Sequence, residues 1–439
     1  MQVLAIEREL PRRSDFAGTI SYLVAHFAKS QLWHASALLF GFFLTESCGL
    51  HARTMGAIMA ASLAFNGVMD AALGQRWKHT NLSAAMRRQA IAAPVTCMFF
   101  MAFCATPLFD PTQRALWALV TLIAFRAGYS FIDVPQNAAV IALATGPDAL
   151  CALLAGRNIV SGMASMAVSL LVAPILIHER STFAWLVWAS GVSLLVCVTA
   201  SRLRCLDGAA SKEHGPERCN GDPRIPFPFL LGILAVMMVA GATFRSLEPY
   251  YAAFADKGVG LLAWAAVGSM VTQPLWVAGR RRFGSVGVLM AAGAALSSAA
   301  VVLLGPWRTE AVGVAIVGLG FGVGVGGLWL MLWSAMMTHA ATGRPTGHVG
   351  IFTCVSKLAQ AAAMLLLGHV LDASSYRMTL GDPWSAPSLL MTAAPIAIAC
   401  ACVVLMFVSV RLNRTACDGT PAMPRRAGRT IRVRGRRPR

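Results

Sequence analysis

Residues 114–143 read RALWALVTLIAFRAGYSFIDVPQNAAVIAL, and only Arg114, Arg126 and Asp133 in that stretch are charged. Crossing about 30 Å of hydrocarbon takes roughly 20 apolar residues in helical form. The stretch is therefore a membrane-spanning helix, because a barrel strand would be shorter and would alternate polar with apolar residues. Arg126 and Asp133 stand seven apart, on one helical face about two turns from each other. A charge near the centre of a span costs at least ~2.5–3.5 kcal/mol, so each should face a cavity or a partner. Pro135 deprives a carbonyl near Phe131 of its helix partner, leaving it free as a ligand or a hinge.

Comparable stretches recur on both sides: 20–45, 52–74, 89–107, 156–177, 183–201, 226–253, 258–278, 286–304, 311–338, 348–370 and 387–410. With 57% hydrophobic and 13% charged residues, the 439-residue chain lies well outside the soluble norm of about a quarter charged. These readings give an all-α membrane protein of about twelve spans. Domain organisation follows: a segment 1–19, a six-helix bundle 20–201, a polar loop 202–225, a second bundle 226–410 and a basic tail 411–439. The first segment, with Pro11 and mixed charge, lacks the apolar core of a cleavable signal.

A net charge of +18 would suggest nucleic acid in a soluble protein. Here Arg and Lys fall after every second apolar stretch: Arg76, Lys78, Arg87 and Arg88, then Arg202 and Arg204, then Arg280 to Arg282. The intervening gaps balance acid and base, as in Asp110 with Arg114. This is the positive-inside pattern, which puts both termini in the cytoplasm of a bacterial inner membrane, with no nucleic-acid partner. The tail, with Arg432, Arg434, Arg436 and Arg437, reads as a disordered arm against anionic lipid headgroups.

The eleven cysteines are scattered without a metal-binding spacing. His26 and His34 could share a face of the first span but lack a third ligand, so no metal and no cofactor are expected. The run from Gly318 to Gly327 sits in an apolar span with no preceding strand, which points to close helix packing or a hinge rather than a phosphate loop. No nucleophile–base pair indicates an enzyme.

The remaining intramembrane charges are Lys29, Asp70, Arg157 at the start of the fifth span, Arg245 with Glu248 in the seventh, and Lys357. Each could be a static ion pair or a working group. Asp70 could be a protonatable or cation-binding carboxylate, or could anchor the basic loop through Arg76, and Arg245 with Glu248 could pair at the outer surface.

At these residues the chain resembles the glycoside-pentoside-hexuronide:cation symporters, the melibiose permease branch of the major facilitator superfamily. The resemblance rests on Phe27 to Ser30, Thr45 to Leu50, Phe65 to Gly74, and Ile132-Asp133-Val134-Pro135 with Asn137. It continues through Gly146-Pro147-Asp148, Arg157, Pro249-Tyr250-Tyr251, Trp333-Ser334, Gly343-Arg344 and Ser356-Lys357-Leu358.

The resemblance implies two six-helix halves, alternating access and a monomeric carrier of a small solute, a sugar or related metabolite. By position, Asp133, Arg157, Asn137, Lys29 and Ser30 are implied to bind the solute. Asp70, Asn66, Ser130 and Lys357 are implied to take part in cation coupling, Lys357 joining the two regions. The cavity would be lined by spans one, two, four, five, seven, eight, ten and eleven.

Three departures matter. Ser30 and Asn66 stand where the family has aspartates, and the acidic segment expected after Trp333-Ser334 reads Ala335 to His339. A sodium site needs several hard, negatively charged oxygens, so a proton is expected as the coupling ion rather than sodium. Losing the acid at position 30 removes a charge-assisted hydrogen bond, worth ~1.5–3 kcal/mol, and argues against a galactoside. Export of an amphipathic metabolite, and a receptor or scaffold without turnover, are the rival readings.

Overall fold

A computed structural model describes residues 13–78, 82–144, 146–179, 181–203, 225–254, 260–283, 286–302, 311–340, 345–382 and 384–418. The segment 1–12, residues 204–224 of the central loop, the Gly343-Arg344 pair and residues 419–439 of the basic tail lie outside the described residues.

The described chain folds into twelve long helices. They are α1 (Arg13–Leu38, prolonged through Phe40–Phe42 and a wide turn at Phe43–Ser47), α2 (Ala52–Arg76), α3 (Leu82–Cys104), α4 (Arg114–Leu143), α5 (Pro147–Ala167, prolonged to Glu179) and α6 (Thr182–Leu203). The second set is α7 (Phe227–Phe254), α8 (Leu261–Val271 and Gln273–Phe283, bent by 45°), α9 (Val286–Val302), α10 (Ala311–Ala340), α11 (Pro345–Ala373) and α12 (Ala386–Asp418). Eight of them are long and apolar enough on their own to cross a membrane, and the bent α8 makes nine; α9 is short, while α1 and α3 carry more polar residues.

Local chemistry sets the boundaries. Gly49 takes a left-handed φ of 70° between α1 and α2, a conformation that a side chain would disfavour. Pro147 starts α5 with its fixed φ and its missing N–H, which no helix partner would have used. That start precedes the expected 156, so Arg157 lies well inside the helix rather than at its entrance. Pro135 stays within α4 without ending it. At the far end, α12 runs to Asp418 and takes the first residues of what reads as a tail in the sequence.

Packing within α1–α6 joins α3 to α4 and α6, α2 to α4, and α1 to α5 and α6. Within α7–α12, α10 joins α8 and α9, and α7 and α9 join α12. The sets meet where α2 lies along α11 and α5 along α8. Two glycine pairs set the α2–α11 distance: a Cβ on Gly56 would come 2.9 Å from the Gly368 Cα, and one on Gly74 2.9 Å from the Gly350 Cα. Each pair is spaced 18 residues apart along its own helix, five whole turns, so the helices touch backbone to backbone on one face at two levels about 27 Å apart.

The glycine run of α10 packs in the same manner. Gly318, Gly322 and Gly326 face α8, and Gly324 faces Gly293 and Ser297 of α9.

Candidate functional site

Midway along the bundle the helices part around a cavity of ≈ 220 Å³. The groups expected to bind solute, Lys29, Ser30, Asp133, Asn137 and Arg157, all line it. Lys29 Nζ lies 2.9 Å from Asp133 Oδ1 and 3.1 Å from Asn137 Oδ1, while Asn137 Nδ2 donates to Asp133 Oδ1 at 2.9 Å. Asn137 is one turn after Asp133 on α4, so one helix face presents the acid together with an amide that both accepts from Lys29 and donates to the carboxylate.

Lys357, on α11, completes the network from the other half. Its Nζ reaches Asp70 Oδ2 at 2.5 Å and Asp133 Oδ2 at 3.3 Å, and Tyr129 stands with its ring centroid 5.6 Å away. Asp70 itself is fully buried and does not line the cavity, nor do Asn66 and Ser130. Asn66 Nδ2 donates to Ser130 Oγ at 2.7 Å and to the Arg126 carbonyl at 2.8 Å. Two acceptor oxygens in this enclosed group, Asp70 Oδ1 and Asn66 Oδ1, are buried without a hydrogen-bond partner. A buried acceptor without a donor costs about 1–3 kcal/mol, which a bound proton could relieve.

The structure thus divides the expected site residues into a set that faces the void and a set behind it. Lys357 is a member of both. Taking ions out of water costs several kcal/mol each even after relaxation, and the attraction between them compensates only with close, well-aligned contacts. The Lys29–Asp133–Lys357–Asp70 chain has them.

Arg157, also in the cavity wall, lies with its guanidinium carbon 3.9 Å from the Trp333 ring centroid, and its Nε donates to His26 Nε2 at 3.3 Å. His34 instead pairs with Ser161 Oγ at 3.0 Å. The two histidines therefore serve different partners across the α1–α5 contact.

Four sequence expectations change. The second span does not line the cavity: its face toward α11 is closed by the glycine contacts, and α12 contributes Ile398 instead. Arg126 faces neither the cavity nor, among the described residues, a counter-charge: its Nη2 donates to Ser36 Oγ. Asp70 does not anchor the basic loop through Arg76. Arg245 forms no ion pair with Glu248 and does not sit at the outer surface: it lines the central cavity.

At the end of the bundle away from the chain termini, polar contacts join the halves. Tyr376 Oη donates to Glu46 Oε1 at 2.7 Å, Arg377 Nη2 donates to the same oxygen at 3.1 Å, and Thr45 Oγ1 meets Tyr250 Oη at 2.9 Å. These ties were not legible in the sequence, since Glu46 and Arg377 are separated by most of the chain.

Residues 21–207 match the family model described as MFS/sugar transport protein. The chain is 26% identical over 161 residues to the putative glycoside/cation symporter YagG of Escherichia coli (strain K12), a match covering 36% of this chain and 34% of that protein. It thus aligns with about a third of its curated relative.

Among solved structures it is similar to a bacterial homologue of the iron transporter ferroportin in an outward-facing state (12% identity, 90% of this chain and 99% of that one, TM-score 0.62). It is also similar to the major facilitator superfamily transporter FucP in the outward conformation (12%, 91% and 99%, 0.58) and to the human organic anion transporter MFSD10 (13%, 90% and 100%, 0.59). At such identities these likenesses establish the fold, which is the one the sequence resemblance implied.

Proposed function

We propose that this chain, a member of the major facilitator superfamily, is a secondary active transporter that moves a small solute, a sugar or related metabolite, by alternating access coupled to protons. The observation that carries the reading is the shared position of Lys357: one ammonium between a carboxylate that faces the cavity, Asp133, and one that does not, Asp70.

In this scheme Asp133, Asn137, Lys29 and Arg157 hold the solute, and Ser30 contributes a hydroxyl to the same wall. Asp70 takes up the proton at its unpartnered oxygen, with Asn66 and Ser130 shaping its surroundings. Once Asp70 is neutral, Lys357 loses a counter-charge and is drawn toward Asp133 and the cavity. Proton loading and solute binding then act on the same cation, and the equilibrium between states shifts by the difference in their binding, a few kcal/mol. A proton suits this place better than sodium, because among the described residues Asp70 is the one carboxylate beside Asn66 and Ser130 and a sodium ion asks for several charged oxygens. The protein would work as a monomer in a bacterial inner membrane, termini in the cytoplasm and the basic tail against anionic lipid.

Uptake into proteoliposomes checks the reading. Solutes from a panel of sugars and sugar derivatives should accumulate when the pH gradient is imposed and only equilibrate without it. Accumulation indifferent to the gradient would remove the coupling, and no flux of any panel member would remove the carrier.

A second reading, export of an amphipathic metabolite, draws on the cavity wall. Trp33, Phe244, Phe321, Trp329 and Phe352 line it with Met237, an apolar surface larger than a sugar requires. Vesicles of opposite orientation, loaded with a lipophilic dye, separate export from import.

A further inference from the structure

Four cations line the cavity, Lys29, Arg157, Arg245 and Lys357, and one carboxylate, Asp133, lines it with them. Asp70 adds a second carboxylate from behind. Lys29 and Lys357 are matched by these two acids. Arg157 and Arg245 are not: among the described residues neither guanidinium has a carboxylate within 4.0 Å. Arg157 is held by the Trp333 ring and His26, both uncharged contacts here. Arg245 faces the void from α7 with no hydrogen bond or ion pair among the described residues.

A guanidinium inside the bundle without a counter-charge is costly, and Arg, whose charge cannot be shed, keeps that cost until an anion arrives. Its planar fork matches the two oxygens of a carboxylate. The two guanidiniums belong to different halves of the bundle, Arg157 to α5 and Arg245 to α7. The same wall is aromatic, with Trp33, Phe244, Phe321 and Trp329 in the lining. Such a wall binds a flat apolar body well and gives the hydroxyls of a sugar few partners.

We infer that Arg245 is an anion-binding residue and that the solute is an organic anion, a carboxylate on a flat, largely apolar body, whose charge is held from α7 while its body lies against the aromatic wall. The inference rests on the carrier reading for the meaning of solute, but the binding chemistry stands apart from turnover. It adds a residue from the second half to the binding set and narrows the solute from sugars at large to anions.

Titration calorimetry on the purified full chain in detergent tests it, with naphthalene-2-carboxylate and its uncharged amide, naphthalene-2-carboxamide, as the probes. The carboxylate should bind at least tenfold more tightly than the amide. Arg245→Gln should cut that ratio at least fivefold, and Arg245→Lys should keep part of it, since the charge stays and the fork goes. A naphthalene-2-sulfonate arm bound as tightly as the carboxylate would overturn the assignment to carboxylates in particular, since a sulfonate also offers the fork two oxygens.

Equal affinity for acid and amide in the wild-type chain would overturn the inference even if the glutamine variant does not fold. A preference left intact in Arg245→Gln would do the same for the role of Arg245. Preferential binding of the carboxylate without flux in vesicles would sink the carrier reading and leave this one standing; flux of a neutral hexose with no preference for the acid would do the reverse.

Discussion

The two halves of the bundle contribute different things to one cavity. Helices α1–α6 supply Lys29, Asp133 and Asn137, which satisfy one another, and Arg157, which is held by His26 and the Trp333 ring. Helices α7–α12 supply an aromatic and aliphatic surface and two cations, Arg245 without a counter-ion and Lys357, the one charged group of this half that enters the first half's network. The contrast teaches that the self-satisfied polar network belongs to one half and the aromatic surface, with a cation left unmatched, to the other. Within the cavity network, among the described residues, a single lysine is the electrostatic hinge between them.

The largest effect should come from removing that hinge. Lys357→Met leaves Asp70 and half of Asp133 buried without their cation, and breaking a buried pair from one side costs about 3–5 kcal/mol. Thermal unfolding should show that loss, and uptake should fall to background. Lys357→Met combined with Asp70→Asn removes both charges, so most of the stability should return while uptake does not. Stability left low in the double variant would mean that Lys357 acts through packing.

A smaller loss is expected where the halves meet along α2 and α11. Gly56→Ala would put a Cβ 2.7 Å from the Met364 carbonyl oxygen, and Gly74→Ala 2.6 Å from that of Thr346. Backbone cannot step aside as a side chain can, so each should cost about 1–3 kcal/mol in thermal unfolding, comparable to overpacking a core. If both are tolerated, the helices do not touch as closely as the contrast between halves requires.

The tie at the end away from the termini is more exposed. Arg377 has a side chain 56% accessible, so Glu46→Gln should cost only about 1 kcal/mol. It should still favour the state open at that end, read as faster labelling of a cysteine introduced beside Arg377. Unchanged labelling would relieve this contact of any gating part.

Least of all should follow from Gly191→Ala in α6 and Gly232→Ala in α7, where a Cβ meets nothing within 4 Å. Both should gain up to ~0.8–1.0 kcal/mol from helix propensity, equally in the two halves. A loss at either would show a neighbour, lipid included, that the bundle alone does not contain.

Most helices were legible because they are long apolar runs, and α4 most of all, since its charges and Pro135 stand at informative spacings. What was not legible follows from distance in sequence and from local starts. The pairing of Asp70 with Lys357 joins residues 287 apart, and only the family resemblance suggested it. Arg157 was placed at a helix entrance, yet Pro147 starts the helix earlier.

Arg245 was passed over because Glu248, three residues on, offers a ready partner at helical spacing. The side chains do not use it. The glycine seam was within reach: a spacing of 18 at 56 and 74, repeated at 350 and 368, is a whole number of helical turns.

Proton movement that accompanies solute entry tests the central claim most directly. In a lightly buffered suspension of sealed vesicles, adding solute should make the medium alkaline as wild-type protein carries protons inward, and Asp70→Asn should move solute down its gradient with no pH change. Equal alkalinisation by the Asp70→Asn variant would contradict the account, because the proton would then travel without the carboxylate that Lys357 is said to share.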